Sequence, residues 1–270
     1  MNEPIHVAQV DRLRIEVYPD RAAMGAAAAQ DCQRRLHDAI TRKGLCRAIF
    51  AAAPSQNELL AELRAAPDIR WDAVESFHMD EYLDLSREAP QRFSRFLRHA
   101  LFDHVAMKAV HLIDTGGLPI AEEVERYAAQ LLAAPIDVVC LGVGENGHIA
   151  FNDPHVADFN DPVPIKEVTL DETCRVQQVN DGAFPALAAV PRRAITLTIP
   201  ALMRGQSLIC VVPGERKAEA IRSMLRGPID TSCPASILRT HRDCTLYLDA
   251  ASAALWLGGR VRRGLRLYVQ

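Results

Sequence analysis

The sequence predicts an α/β fold: a doubly wound, mostly parallel, Rossmann-like sheet with helices on both faces. Three observations predict it. Short β-branched apolar runs alternate with longer segments of helical period along the whole chain. The run at 136–142, Ile-Asp-Val-Val-Cys-Leu-Gly, is almost continuously apolar, as expected of a central parallel strand covered on both faces. No repeat, low-complexity linker or compositional break interrupts the pattern, so residues 1–270 are read as one domain.

The elements follow in order. Residues 13–18 (LRIEVY) read as a strand, and the Ala-rich stretch 20–42, opened by Pro19-Asp20, as a helix. A buried strand is expected over 46–53. Ser55 then serves as N-cap of the helix through NELLAELRAA, with Glu58 at the capping-box position. Residues 73–79 are strand-like, 92–105 have the 3.6 period, 109–113 form a further strand, and 121–134 a helix with acids in its first turn. Beyond a polar stretch, 194–200, 206–212 and 244–249 read as strands, with a helix over 215–226 between the last two.

Composition narrows the function classes. Apolar residues make up 49% and charged residues 24%, which supports a folded core. Lys+Arg number 31 against 34 Asp+Glu, a formal charge of -3, so neither nucleic acid nor an anionic membrane is indicated as a partner. No run approaches the ~18 apolar residues of a membrane span, and the N-terminal stretch lacks the apolar core of a signal peptide. The seven cysteines are scattered and never spaced as CxxC, which reads as reduced, packed thiols of a cytoplasmic protein. Only four of the basic residues are lysines: Lys43, Lys108, Lys166 and Lys217.

Ligands of open parallel sheets bind beyond the carboxyl ends of the strands. Three such ends carry unusual residues: Ala53-Pro54-Ser55-Gln56-Asn57, His78-Met79-Asp80-Glu81-Tyr82, and the segment from Gly142 to Pro154. The last contains GxGxxG, but Asn152-Asp153-Pro154 breaks any helix and the unit lies mid-chain, so a dinucleotide site is rejected. Its glycines instead let the backbone approach a small ligand and present His148 to it. Asp153, five residues on, is placed to fix the tautomer of that imidazole. On these residues alone, His148 stays open between a structural and a proton-shuttling role, and Asp80-Glu81 reads as a turn or helix N-cap. No GxSxG, P-loop, HExxH or EF-hand pattern occurs, the histidines lack metal-ligand spacing, and neither metal nor cofactor is implied.

At these residues the chain resembles the glucosamine-6-phosphate deaminase/isomerase family, which includes the 6-phosphogluconolactonases. Phe77-His78-Met79-Asp80-Glu81-Tyr82 is similar to the family's F-x-M-D-E-Y, and Leu141 to Pro154 is similar to its G-x-G-x-[DN]-G-H-I-A-F-N-E-P. Tyr82 and Phe151-Asn152 favour the deaminase branch over the lactonase branch. The resemblance implies that His148 opens the pyranose and that Asp80 moves the C2 proton to C1, with Asn146 and Asp153 orienting the histidine. It further implies substrate contacts at Ser55, Gln56, Glu81, Gly144, Gly147, Lys166 and Lys217, the two lysines holding a phosphate.

Departures are equally legible. Asp153 stands where the family has Glu, one methylene longer, so its reach to His148 needs a backbone adjustment. Ala52-Ala53-Pro54-Ser55-Gln56 replaces a glycine-rich loop, narrowing it and removing an N–H donor. Val156 and Pro164 fall where the family's lid has Ser and Arg, and Arg192, Arg193 and Arg204 match nothing. The expected activity is deamination and isomerisation of a hexosamine 6-phosphate. A sugar-phosphate sensor that has lost catalysis, or a lactonase, is the alternative. A homo-oligomer is left open, and the basic segment 258–266 reads as solvated surface.

Overall fold

A computed structural model describes residues 3–258. In chain order its strands begin with β1 (His6–Val10), β2 (Leu13–Tyr18), β3 (Cys46–Phe50), β4 (Val74–His78), β5 (Asp80–Tyr82) and β6 (Ala109–His111). They continue with β7 (Val138–Leu141), β8 (Ile165–Thr169), β9 (Arg193–Leu197), β10 (Ser207–Val212) and β11 (Cys244–Asp249). The α-helices are α1 (Arg21–Lys43), α2 (Asn57–Ala65), α3 (Phe93–Ala100), α4 (Ile120–Leu132), α5 (Glu172–Asn180), α6 (Ile199–Met203) and α7 (Ala218–Arg226).

The main sheet runs β1-β2-β11-β10-β7-β3-β4-β6. Every neighbouring pair is parallel except the β1–β2 hairpin. From β3 the chain winds outward to β4 and β6, then returns to β7 on the other side of β3 and winds away through β10 and β11. The crevice between β3 and β7 is thus the topological switch point, where ligands of such sheets bind.

Side chains alternate across these strands. Ile49, Val139, Leu141, Leu208 and Cys210 enter the core on one face, against Tyr127 and Leu131 of α4 and Ile221 and Met224 of α7. Phe50, Val138, Cys140, Ile209 and Val211 enter the other, against Met24, Cys32 and Leu36 of α1 and Leu59 and Leu63 of α2. A period-2 strand filled with apolar residues on both faces is what the unbroken runs encode.

Several boundaries differ from expectation. The strand expected over 46–53 ends at Phe50, releasing Ala51–Ala53 into the crevice. Ser55 does not cap α2; Pro54–Gln56 form a 3-10 turn, and Glu58 pairs with Arg21 across the α1–α2 boundary (2.9 Å). The segment expected over 194–200 lies outside the main sheet: β9 is the middle of an antiparallel β5-β9-β8 sheet. β5 has only three residues and β8 alternates weakly, so neither shows a strand period. Helix 215–226 opens as a 3-10 turn over Glu215–Lys217. Apart from Gly258, the basic segment 258–266 lies outside the described residues.

All seven cysteines are free and buried. Burial raises the pKa of Cys46, Cys174, Cys210, Cys233 and Cys244, which suppresses their thiolates. The native protein should therefore show no rapidly reacting thiol toward an aromatic disulfide reagent, and seven after unfolding in denaturant. A native thiol reacting within seconds would contradict this packing.

Candidate active site

A cavity of about 530 Å³ opens at the switch point. Ala51–Ser55 line it from the end of β3, Met79 and Asp80 from the end of β4, and Gly142–Gly144 and His148 from the end of β7. Gln177, Gln178 and Asp181 close one side from α5 and its C-terminus; Lys217 reaches in from the turn before α7.

The loop after β7 is held by a buried hub. Asp153 is fully buried, and its Oδ1 lies 3.0 Å from His148 Nδ1. That oxygen also accepts from Asn146 Nδ2 (2.9 Å), while Oδ2 accepts from the backbone N–H of Asp171 (3.0 Å). Burial opposes ionisation of Asp153, but these donors outweigh it and hold its carboxyl below the usual range. The shorter side chain therefore does reach the imidazole. A residue in left-handed conformation, Ala150 at φ +48°, lies in the loop between them.

Asn146 completes the arrangement without entering the cavity. Its Nδ2 also donates to Asp171 Oδ2 (2.9 Å), and its Oδ1 accepts from the backbone N–H of His148 (3.1 Å). Asp171 in turn caps α5 through Cys174 N–H (2.6 Å), so the loop and the helix are locked together. The glycines act sterically. A Cβ on Gly144 would sit 2.2–2.4 Å from the imidazole ring of His148, so the ring packs over bare backbone. Gly147 adopts φ +83° against Cys233 and does not line the cavity, contrary to the expected substrate contact.

Asp80 and Glu81 are adjacent and have opposite surroundings. Glu81 is fully buried and turned away from the cavity, which corrects its expected substrate role. Its carboxylate accepts from the backbone N–H groups of Tyr82, Phe93 and Ser94 (3.0 Å each) and from Ser94 Oγ (2.7 Å), with Arg92 at 3.5 Å. It caps the N-terminus of α3 from a distance. Asp80 lines the cavity, and its carboxylate makes no hydrogen bond among the described residues. Burial, and then the charge of Glu81, push its pKa well above the usual carboxylate range.

The remaining expected contacts divide. Ser55 lines the cavity, but Gln56 is buried beneath it, its Nε2 directed to Ser55 Oγ (3.1 Å) and to the carbonyls of Val211 and Leu141 (3.3 and 3.4 Å). Lys217 is buried at the cavity edge, and its side-chain ammonium makes no hydrogen bond or ion pair among the described residues. Burial lowers its pKa, while Asp181 and Glu145 oppose the shift. Lys166 does not line the cavity: its Nζ donates to Val156 O (2.8 Å) and to Asp161 (2.6 Å). The two lysines expected on one anion are therefore apart. A second cation on the cavity, Arg21, was not singled out in the sequence; it is held by Glu58 and donates to Pro54 O (2.8 Å). Nothing in its local sequence marks it, because the crevice comes to it through α1–α2 packing.

Sequence spacing shows no metal pair, yet folding brings ligand atoms of His148, Asp153 and Cys174, and of Asp153, His155 and Asp171, within 4.8 Å of one another. Asp153 belongs to both sets, and its oxygens are already engaged by Asn146, His148 and Asp171. The arrangement is that of an oriented imidazole.

An open parallel sheet thus carries at its switch point a buried carboxylate unpaired among the described residues and an imidazole beside Asp153, an arrangement able to move protons. Residues 19–247 match the model of the family described as glucosamine-6-phosphate isomerases/6-phosphogluconolactonase, and the chain belongs to that family. It is 37% identical over 195 residues to a glucosamine-6-phosphate deaminase of Exiguobacterium sibiricum, covering 72% of this chain and 75% of that one. A Bacillus thuringiensis glucosamine-6-phosphate deaminase is 36% identical over 182 residues, 67% of this chain and 68% of its own. Among solved structures, a monomeric glucosamine-6-phosphate deaminase superposes with TM-score 0.79 at 26% identity, covering 89% of this chain and 99% of that one. A 6-phosphogluconolactonase from Thermotoga maritima shares the fold (TM-score 0.71, 18% identity, 88% and 99% covered).

Gly144→Ala tests the packing of the imidazole. The added methyl should displace the ring and lower kcat by about 10²-fold, the cost of misplacing a catalytic group by about 1 Å. Circular dichroism should stay unchanged. Full activity in Gly144→Ala would show that the ring does not need this position.

Proposed function

We propose that this protein converts a hexosamine 6-phosphate into a ketose phosphate and ammonia. The observation that carries the reading is Asp80: a buried carboxylate facing the cavity, without a partner among the described residues, in the same cavity as the imidazole beside Asp153. Structural carboxylates are paired, as Glu81 is; a general base must be left free to accept a proton.

The chemistry follows from these positions. With Nδ1 facing Asp153, Nε2 of His148 is the ring nitrogen available to the sugar. It takes the anomeric hydroxyl proton and returns one to the ring oxygen, opening the pyranose. Asp80 removes the C2 proton of the aldehyde, giving an enolamine, and the proton is delivered to C1. The resulting imine at C2 adds water and releases ammonia, leaving the ketone. A cavity that holds both Asp80 and an imidazole beside Asp153 supports turnover over the sensor alternative. Lys217, a buried ammonium without a partner among the described residues, supports a phosphate at that end of the cavity. No helix among the described residues is long and apolar enough to cross a membrane. The free thiols fit a reducing cytoplasm.

Asp80→Asn separates catalysis from stability. Turnover of glucosamine 6-phosphate should fall by at least ~10²–10⁴-fold, the usual loss for a general base. In the wild type the acid limb of kcat/KM should lie above the ordinary carboxylate value of about 4, because activity needs Asp80 ionised and its pKa is raised. A raised folded-state pKa means that the charged form is penalised above the unfolded pKa and the penalty vanishes below it. Asp80→Asn should therefore be more stable at neutral pH, on the order of 1 kcal/mol, with the gain fading as pH falls toward 4. An active or destabilised Asp80→Asn protein would remove the assignment.

Lys217→Met should raise KM for the phosphorylated amino sugar far more than it lowers kcat, since a remote contact acts through binding. Turnover of the unphosphorylated sugar should be the same in Lys217→Met and wild type. Equal wild-type activity on both sugars would take the phosphate out of the substrate.

A further inference from the structure

We propose that Gln178 is a substrate-positioning residue whose side-chain amide nitrogen donates a hydrogen bond to a hydroxyl oxygen of the bound sugar, and that Tyr82 acts through it by fixing the amide. The inference rests on the sugar-phosphate reading above and adds a specificity contact to it.

Gln178 lies near the end of α5, is 8% exposed, and lines the cavity that holds Asp80 and His148. The Tyr82 hydroxyl donates to its Oε1 at 2.6 Å. Tyr82 is fully buried and wedged among Phe93, Phe151 and Phe184, with ring centroids 4.7–5.4 Å away. Its phenol stays protonated, and a buried O–H needs an acceptor. Gln178 Oε1 is the acceptor it has among the described residues. Turning the amide over would make the phenol an acceptor and orphan its proton. The amide orientation is therefore dictated from behind, and Nε2, with two N–H donors, is left toward the cavity. That nitrogen makes no hydrogen bond among the described residues.

The neighbouring side chain shows the contrast. Gln177 also lines the cavity, but its Oε1 accepts from Glu145 N–H (2.8 Å) and its Nε2 donates to Asp181 (3.3 Å), so both ends are spent on the protein. Two successive glutamines thus serve differently: one braces the loop that carries His148, and the other keeps a rigidly held donor unspent. Because α5 is locked to that loop through Asp171, Gln178 is fixed relative to His148. Such a donor rewards a sugar that offers a hydroxyl oxygen there and penalises one that lacks it.

The test is calorimetric titration with the reduced, open-chain amino-hexitol 6-phosphate, which has no carbonyl to react, and with analogues lacking one hydroxyl at a time. Gln178→Leu should bind the parent probe at least about tenfold more weakly, as loss of one hydrogen bond implies. It should be insensitive to removal of one particular hydroxyl to which the wild type is sensitive. Gln178→Glu keeps the acceptor for Tyr82 but has no N–H donors, so it should show the same loss and decides the matter if the leucine variant misfolds. Tyr82→Phe should weaken binding alone and add nothing in the Gln178→Leu background. Gln178 variants that bind like a binding wild type, or that lose affinity equally for every analogue, overturn the role of Gln178. A wild type that binds none of these probes overturns the proposed function and, with it, this inference.

Discussion

The buried carboxylate of Asp153 is the contact on which the site depends. With no exposure, two hydrogen-bond donors and the His148 imidazole 3.0 Å away, it joins the loop after β7, that ring and the N-terminus of α5. Such a group is stable only if every partner is present, since breaking one buried ionic contact costs about 3–5 kcal/mol. The strictness has a functional return. One side chain sets the tautomer of the histidine and fixes the wall that carries Gln177 and Gln178.

Asp80 and Glu81 show how one sheet edge serves stability and chemistry together. β5 is a short strand, so successive side chains take opposite faces. Glu81 turns inward, where the N-terminus of α3 and Arg92 compensate its charge. Asp80 turns to the cavity, where no described residue pairs with its carboxylate. The satisfied carboxylate then acts on the unsatisfied one, its charge adding to burial in raising the Asp80 pKa. The protein thus keeps an unfavourable charge at the cavity wall, a cost in stability that a structural carboxylate such as Glu81 does not carry.

The cationic edge of the cavity is built differently from what the lysine positions promised. Lys166 is consumed by Asp161, and the loop Ala51–Ser55 presents methyl groups and a proline where glycines were expected. Lys217 and Arg21 remain, with Asp181 close enough to influence both.

By itself the sequence determined the layered α/β architecture, the burial of the central strands and the loops that carry Asp80 and His148. Those features follow from local period, from glycine at strand ends and from motif residues adjacent in the chain. It also made the placing of Asn146 and Asp153 beside His148 legible through their resemblance to a known family. Only the tertiary structure decided that β9 leaves the main sheet, that Glu81 caps a helix, that Gln56 braces strand ends, and that Arg21 and Gln178 reach the cavity. The reason is physical: whether a polar side chain serves the fold or the ligand depends on which buried donors and acceptors lie opposite it. Those partners, such as Tyr82 for Gln178, come from segments 96 residues away in the chain.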